Sequence, residues 1–171
     1  MTDDDRSRSL LLGALDAQRQ HVLAAVDGLS DAQLRSAVLP SGWSPIGLIR
    51  HLTLGGERYW FHTVMAGEPL DHWPEDRPEL DGGRPADWRV EAHEPTDAVL
   101  DDYRDAIARS DRMLAGLQLD AAPRRPEPDW PEGRFADLEA VLLHVILDAA
   151  THAGHLDAAR ELIDGRQHLV L

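Results

Sequence analysis

Four stretches of the chain repeat apolar residues at steps of three and four, which is the spacing of an amphipathic helix. They cover residues 10–26, 45–65, 96–117 and 135–162. No segment alternates apolar and polar residues for long enough to predict a strand. The pattern therefore predicts an all-α fold, a bundle of four main helices, in one domain that spans residues 1–171.

Helix-boundary residues flank these stretches. Ser44 followed by Pro45 predicts the start of the second helix, because serine is a good N-cap and proline suits the first helical position. Thr96 is a predicted N-cap of the third helix, and Ser30 with Asp31 opens a short helical turn between the first two. Gly165 is expected to end the fourth helix, since glycine is the preferred residue just after a helix.

Two connections, residues 67–94 and 120–134, are long for a small domain and rich in Pro, Asp and Gly. They contain Trp73, Trp88 and Trp130, and large aromatic residues favour ordered segments packed on the bundle. The first connection is long enough for the third helix to run parallel to the second. We predict that at least one of these indoles lies near the mouth of the functional site; the alternative is that they only anchor the crossover to the bundle surface.

The amino-acid composition limits the partners and the kinds of reaction that are compatible with this chain. The net charge of −14 argues against nucleic acid and anionic membranes as partners. No apolar run is long enough to span a bilayer, and the first residues lack a secretory signal, so a cytoplasmic protein is expected. The chain has no cysteine, which excludes disulfides and thiolate ligands, and all 17 basic residues are arginine, which excludes Schiff-base chemistry. An enzyme with this sequence would depend on His, Asp, Glu, Ser, Thr, Tyr or a bound ion.

The segment DAATHAGH, residues 148–155, interrupts an otherwise ordinary amphipathic helix. At about 100° per residue, His152 falls in the middle of the apolar stripe and Asp148 falls on its edge. On the second helix, His51 is centred on the inward face, and Gly55, one turn later, leaves the space beside it empty. Two helices therefore direct imidazoles at the core, and one adds a carboxylate.

The residues alone leave two accounts open, because a buried carboxylate or imidazole needs a partner. In the first, Asp148 and His152 form a hydrogen-bonded pair and His51 is satisfied by a carbonyl or by water. In the second, His51, Asp148 and His152 bind a divalent metal. Two imidazoles and a carboxylate suit Zn, Fe, Ni or Mn, and three protein ligands leave positions open for water or substrate.

Other polar and aromatic residues are weaker candidates. His155 is a candidate catalytic residue as a fourth ligand, a partner of a ligand or a proton carrier, or else a histidine at the bundle edge. Arg58 is a second catalytic candidate that could bind a substrate carboxylate, or it pairs with a carboxylate of the bundle. His144 is expected to be structural, and Trp43 and Trp60 are expected to pack in or near the core. Four further histidines are expected at the surface: His62, His72, His93 and His168.

Two motifs together carry a family resemblance. The segments WSPIGLIRHLTLGGERYWFHTVMAGE (43–68) and LLHVILDAATHAGHLDAARELIDG (142–165) resemble the DinB-like superfamily over essentially the whole domain. The resemblance implies a four-helix bundle of up-down-down-up topology with a long crossover between helices 2 and 3. It also implies a divalent metal with His51, Asp148 and His152 as ligands. Many members have histidine where this chain has Asp148, and a carboxylate there is similar to the mycothiol-dependent maleylpyruvate isomerase branch.

The resemblance also implies a function. Characterised members of the superfamily include transferases and isomerases that use low-molecular-weight thiols such as mycothiol, and a cysteine-free chain is compatible with a sulfur supplied by the cofactor. We expect a metal-dependent enzyme of this type, acting on a small-molecule substrate. Two alternatives stay open: a non-catalytic metal-binding or structural bundle, acting as a homodimer, and a metal-dependent hydrolase.

Overall fold

The structure is a computed structural model, and it describes residues 3–70 and 86–167. Every regular element in these two ranges is helical, so the all-α prediction is confirmed. The elements are α1 (Asp3–Val26), α2 (Asp31–Leu34), α3 (Pro45–His51), a π-helix that continues α3 (Leu52–Met65), a 3₁₀ turn (Ala86–Trp88), α4 (Thr96–Leu114) and α5 (Leu138–Asp164). No helix in the described ranges combines the length and apolarity needed to cross a lipid bilayer.

Several helix boundaries agree with the sequence. The hydroxyl of Ser44 accepts a hydrogen bond of 3.2 Å from the backbone N–H of Gly47, and Pro45 opens α3. Asp137 caps α5 by accepting from the N–H of Ala140 at 2.9 Å, two residues after the predicted start. Gly165 follows α5 with a φ of 75°, a conformation that a residue with a side chain rarely adopts.

Two boundaries differ from the prediction. Helix α1 begins at Asp3, seven residues earlier than expected, because its first turn is polar and carries no apolar period. Three aspartates in that turn stabilise the helix N-terminus, where the macrodipole favours negative charge. Thr96 is not the N-cap of α4; Pro95 occupies that position, and the Thr96 hydroxyl instead donates to Asp31 Oδ1 at 2.9 Å.

The apolar core divides into two clusters. One cluster combines the C-terminal part of α1, helix α3, the N-terminal part of α4 and the C-terminal part of α5. The other combines the N-terminal part of α1, the C-terminal part of the π-helix, the end of α4 and the N-terminal part of α5. Helix α1 packs along α5, and the π-helix packs along α4 and α5.

A buried ion pair falls between the two clusters along the helices. Arg19 donates to both carboxylate oxygens of Glu57 at 2.7 and 2.6 Å and to Asp111 Oδ1 at 2.8 Å. Arg19 is 2% exposed and Glu57 is 3% exposed. Burial disfavours the charged guanidinium, but the two carboxylates outweigh it and raise the pKa of Arg19 above its ordinary value. Arg19 therefore stays ionised inside the fold.

Candidate metal site

The structure brings together three side chains from two helices. His51 is the last residue of α3, and Asp148 and His152 lie one turn apart on α5. One potential ligand atom from each lies within 4.8 Å of the other two. His152 Nε2 is 3.5 Å from Asp148 Oδ1, and the rings of His51 and His152 are 5.0 Å apart between centroids. The side chains converge as the helical wheel indicates, and metal binding by them stays a prediction.

The backbone changes its winding directly after His51. From Leu52 to Met65 the helix is a π-helix, which closes hydrogen bonds between residues five apart, so a wheel drawn at 100° per residue fails there. Glu57 and His62 are both buried in this segment. The inward position of His51 was predictable because His51 still belongs to the α-helical part. π-Helical turns often occur at functional sites.

The electrostatics of the cluster keep Asp148 ionised. Burial alone would raise the pKa of this carboxyl group. The hydrogen bond and charge of His152 lower the pKa, and the nearby His51 and His144 lower it further. The pKa of Asp148 therefore lies below its usual value. Asp148 is therefore a carboxylate at neutral pH, which is the form that binds a cation.

Sequence reasoning missed the partner of His51. Asp87, from the 3₁₀ turn, places Oδ2 2.6 Å from His51 Nδ1, so a carboxylate satisfies this ring rather than a carbonyl or water. Asp87 is 2% exposed, and its other oxygen, Oδ1, is buried without a hydrogen-bond partner among the described residues. The ring of Trp88 stacks on His51 at 4.3 Å with an interplanar angle of 17°, and lies 5.5 Å from the ring of His152.

Two glycines on this side of the fold allow the 3₁₀ turn to approach. A Cβ atom on Gly47 would lie 2.6 Å from the backbone oxygen of Trp88, closer than real Cβ contacts allow. A Cβ atom on Gly55 would lie 3.2 Å from His51 Cε1 and 3.6 Å from Asp87 Oδ2. The space beside Gly55 is therefore filled by the imidazole and its carboxylate partner, whereas the sequence prediction left it empty.

The tryptophans of the long connections have different roles. Trp88 lies beside the clustered side chains, and its place at the mouth of a functional site stays a prediction. Trp130 stacks on Trp60 with ring centroids 5.5 Å apart and also contacts Phe135, so it anchors its connection to the bundle. Trp73 lies outside the described residues. Trp43 is buried in the core, as predicted.

The two catalytic candidates differ in position. His155 is exposed, and its ring lies 5.7 Å from that of His152 and 6.2 Å from that of Trp43, so it sits at the rim of the cluster. Arg58 donates to Asp102 of α4. Arg58 therefore pairs with a carboxylate of the bundle, which is the second of its two expected roles.

His144 is half-buried and packs against Trp60 and Phe135, with ring centroids 4.5 and 5.1 Å apart. Burial lowers its pKa, although Asp148 opposes the shift, so His144 is neutral at physiological pH and structural as predicted. Surface placement is wrong for His62, which is 4% exposed and hydrogen-bonds Ser110 Oγ at 3.1 Å.

Of the remaining histidines, His93 is exposed as predicted. His72 and His168 lie outside the described residues.

The family of the chain follows from a comparison with known proteins. A family model described as Mycothiol-S-transferase matches residues 10–165, a segment that contains both motifs and all three clustered side chains. No curated protein and no solved structure matches the chain. The resemblance to the DinB-like superfamily is thereby confirmed. The chain belongs to the mycothiol-S-transferase family, which is a DinB-like family.

Proposed function

We propose that this protein is a metal-dependent thiol S-transferase that uses mycothiol or a similar low-molecular-weight thiol. His51, Asp148 and His152 bind one divalent ion. The observation that carries the proposal is the convergence of three ligand atoms, from two helices, within 4.8 Å of one another. Family membership supports the use of a thiol cofactor, and the clustered side chains support a bound metal ion.

The donor set fits a divalent transition metal. Two imidazoles and a carboxylate suit Zn, Fe, Ni or Mn, and three protein ligands leave positions open for a second molecule. His152 Nδ1 is buried and has no hydrogen-bond partner in the described part of the chain. Burying an imidazole with an unpaired nitrogen is costly, and binding a cation through the same ring would offset that cost.

Different residues of the chain would have different roles in thiol transfer. A bound divalent ion supplies positive charge that favours the thiolate form of a nearby thiol at neutral pH. Asp148 contributes the negative charge that balances the ion, and Trp88 shields one face of His51 from water. His155, exposed at the rim, is placed to carry the thiol proton to solvent. The thiol sulfur then bonds to an electrophilic carbon of the second substrate as the leaving group departs.

We also propose that α1, α3 with its π-helix, α4 and α5 form a four-helix bundle of up-down-down-up topology. The division of the core supports it. One cluster contains the C-terminal parts of α1 and α5 together with α3 and the N-terminal part of α4. The other cluster contains the N-terminal parts of α1 and α5 together with the C-terminal parts of the π-helix and α4. Parallel α3 and α4 need a connection that returns along the bundle, which suits the long segment between residues 66 and 95.

Elemental analysis combined with a thiol-consumption assay tests the function. We expect one divalent ion per chain in the purified or reconstituted protein, and loss of that ion in His152→Ala. His93→Ala removes an exposed histidine elsewhere and is expected to keep the ion. Consumption of mycothiol in the presence of an electrophile should require the ion.

Two outcomes would contradict this proposal. Absence of any bound ion after reconstitution would overturn the metal site. A bound ion without thiol consumption, tested over a panel of electrophiles, would overturn the transferase and favour a non-catalytic metal-binding bundle.

A further inference from the structure

We infer that Asp87 is a positioning residue, which holds the His51 ring so that Nε2 is the nitrogen available to a metal ion. The inference rests on the metal site proposed above. It concerns a residue 36 positions from His51 in sequence, delivered by a turn outside the main helices.

The geometry sets the tautomer of His51. A neutral imidazole has one N–H donor and one acceptor nitrogen, and an ionised carboxylate only accepts. With Asp87 Oδ2 2.6 Å from Nδ1, the proton belongs on Nδ1, where it is donated to the carboxylate. The lone pair is then on Nε2. Metal-binding histidines commonly donate their other ring N–H to a carboxylate in this way, which orients the ring.

The surroundings hold Asp87 in place. Trp88, the next residue, stacks on the His51 ring, and Gly55 leaves room for both the imidazole and the carboxylate. The chain that follows the turn is also anchored, because Arg35 donates to the backbone oxygens of Glu91 and Glu94. The carboxylate is therefore a fixed partner of His51 rather than a surface charge.

Stability alone does not explain the position of Asp87. A carboxylate that is 2% exposed, with Oδ1 unpaired among the described residues, carries a desolvation cost that one hydrogen bond only partly offsets. Orienting His51 gives this buried carboxylate a role.

The chain offers a matched control pair. Asp157 on α5 places Oδ2 2.8 Å from His21 Nε2 on α1, and its Oδ1 is likewise buried without a partner among the described residues. The chemistry resembles that of Asp87 and His51, but the pair includes none of the three proposed ligands. Asp157→Ala therefore reports the general effect of removing the half-buried carboxylate that pairs with a histidine.

The experiment compares Asp87→Ala, Asp87→Asn and Asp157→Ala in the full-length protein. The first readout is ¹⁵N–¹H NMR of the His51 imidazole in metal-free protein, assigned with His51→Gln, because it reports which nitrogen carries the proton. The second is the affinity for Zn²⁺, measured by competition with a chromogenic chelator. Thermal melts confirm that each variant is folded.

We expect Asp87→Ala to lose the Nδ1–H tautomer and to bind Zn²⁺ about 10–100-fold more weakly. Asp87→Asn can donate its amide N–H to Nδ1, which places the ring proton on Nε2, so it should lose the Nδ1–H tautomer and Zn²⁺ affinity as Asp87→Ala does. Asp157→Ala should leave both readouts unchanged.

An unchanged tautomer and Zn²⁺ affinity in Asp87→Ala would overturn the inference, as would an equal loss of affinity in Asp157→Ala. If the unsubstituted protein binds no metal, the proposed function fails. The His51 tautomer in metal-free protein still decides whether Asp87 orients the ring. If Asp87→Ala does not fold, Asp87→Asn decides: an unchanged Nδ1–H tautomer together with an unchanged Zn²⁺ affinity in that variant contradicts the inference.

Discussion

Arg19 shows how much one side chain contributes to this fold. It donates three hydrogen bonds from a position that is 2% exposed, and every acceptor is a carboxylate oxygen. Its guanidinium also lies 5.7 Å from the centre of the Phe61 ring. Because Glu57 is buried with it, removal of Arg19 leaves a buried carboxylate uncompensated, and removal of Glu57 leaves Arg19 with only the exposed Asp111 as its partner.

We therefore expect Glu57→Ala to lower the free energy of unfolding by about 3–5 kcal/mol. The double variant Arg19→Met, Glu57→Leu should lose less, because no charge is left unpaired. Urea denaturation measures both. The exposed pair of Arg104 and Asp101 is the control, where Arg104→Met should change the free energy by less than about 0.5 kcal/mol. A loss in Glu57→Ala as small as the control would contradict the prediction.

Glu94 is one residue whose contribution to the free energy of unfolding should depend on pH. Burial opposes its ionised form, but the backbone N–H of Glu91, which donates at 2.8 Å, and the charge of Arg50 lower the pKa of Glu94 below its usual 4.5. A folded-state pKa below the unfolded value means that the carboxylate stabilises the fold above pH 4.5. That stabilisation is lost as the pH falls through the lowered folded-state pKa.

The prediction is that Glu94→Gln unfolds more easily than the unsubstituted protein at neutral pH. The difference should shrink as the pH falls below 4.5. Urea denaturation across that range gives the comparison. Glu132→Gln, at an exposed position, is the matched control and should show no such pH dependence. A difference for Glu94→Gln that is constant with pH would rule out the carboxylate as its cause.

The helices show which local features a sequence reveals. Apolar spacing located all four long helices, and Ser44, Pro45 and Gly165 marked their ends, because these signals depend only on neighbouring residues. The π-helix was not predictable, since residues 52–65 fit an α-helical wheel equally well. The buried position of His62 was missed although a wheel at about 100° per residue places it about 20° from His51, on the inward face.

The residues of the candidate site likewise include some that the sequence predicts and one that it does not. His51, Asp148 and His152 could be predicted because each points inward on its own helix. Asp87 could not, because its contact with His51 joins a helix to a connection rich in Pro, Asp and Gly that has no periodic pattern. The only local hint was Gly55, whose missing side chain leaves room for a partner of the histidine.

Gly47 controls how closely the 3₁₀ turn packs on α3. Gly47→Ala places a Cβ atom against the backbone oxygen of Trp88, which cannot move away as a flexible side chain would. We expect a loss of about 1–3 kcal/mol in the free energy of unfolding and a change in Trp88 fluorescence. The fluorescence change should be absent when Gly47→Ala is made in a Trp88→Phe background.

Gly13→Ala is the control for that variant. Gly13 lies inside α1 with no atom near its potential Cβ, so alanine should stabilise the helix by about 0.5–1 kcal/mol. Equal effects of the two substitutions would show that the close approach of the turn is unimportant.

For the whole molecule, metal binding and stability should be coupled. An ion that binds only the folded state adds about 2.7 kcal/mol to the free energy of unfolding when present at 100 times its dissociation constant. We expect a chelator to lower the melting temperature of metal-loaded protein and to leave that of His51→Ala unchanged. His93→Ala, altered at an exposed position, should respond like the unsubstituted protein. A melting temperature that no chelator changes would contradict the coupling.

The separation of the three clustered residues along the chain has a consequence for biosynthesis. His51 belongs to α3, whereas Asp148 and His152 belong to α5, which emerges from the ribosome after α3 and α4. Nascent chains that lack α5 can present at most one of the three side chains. All three side chains can therefore meet only after α5 has been translated, so the proposed ion would be bound after that point.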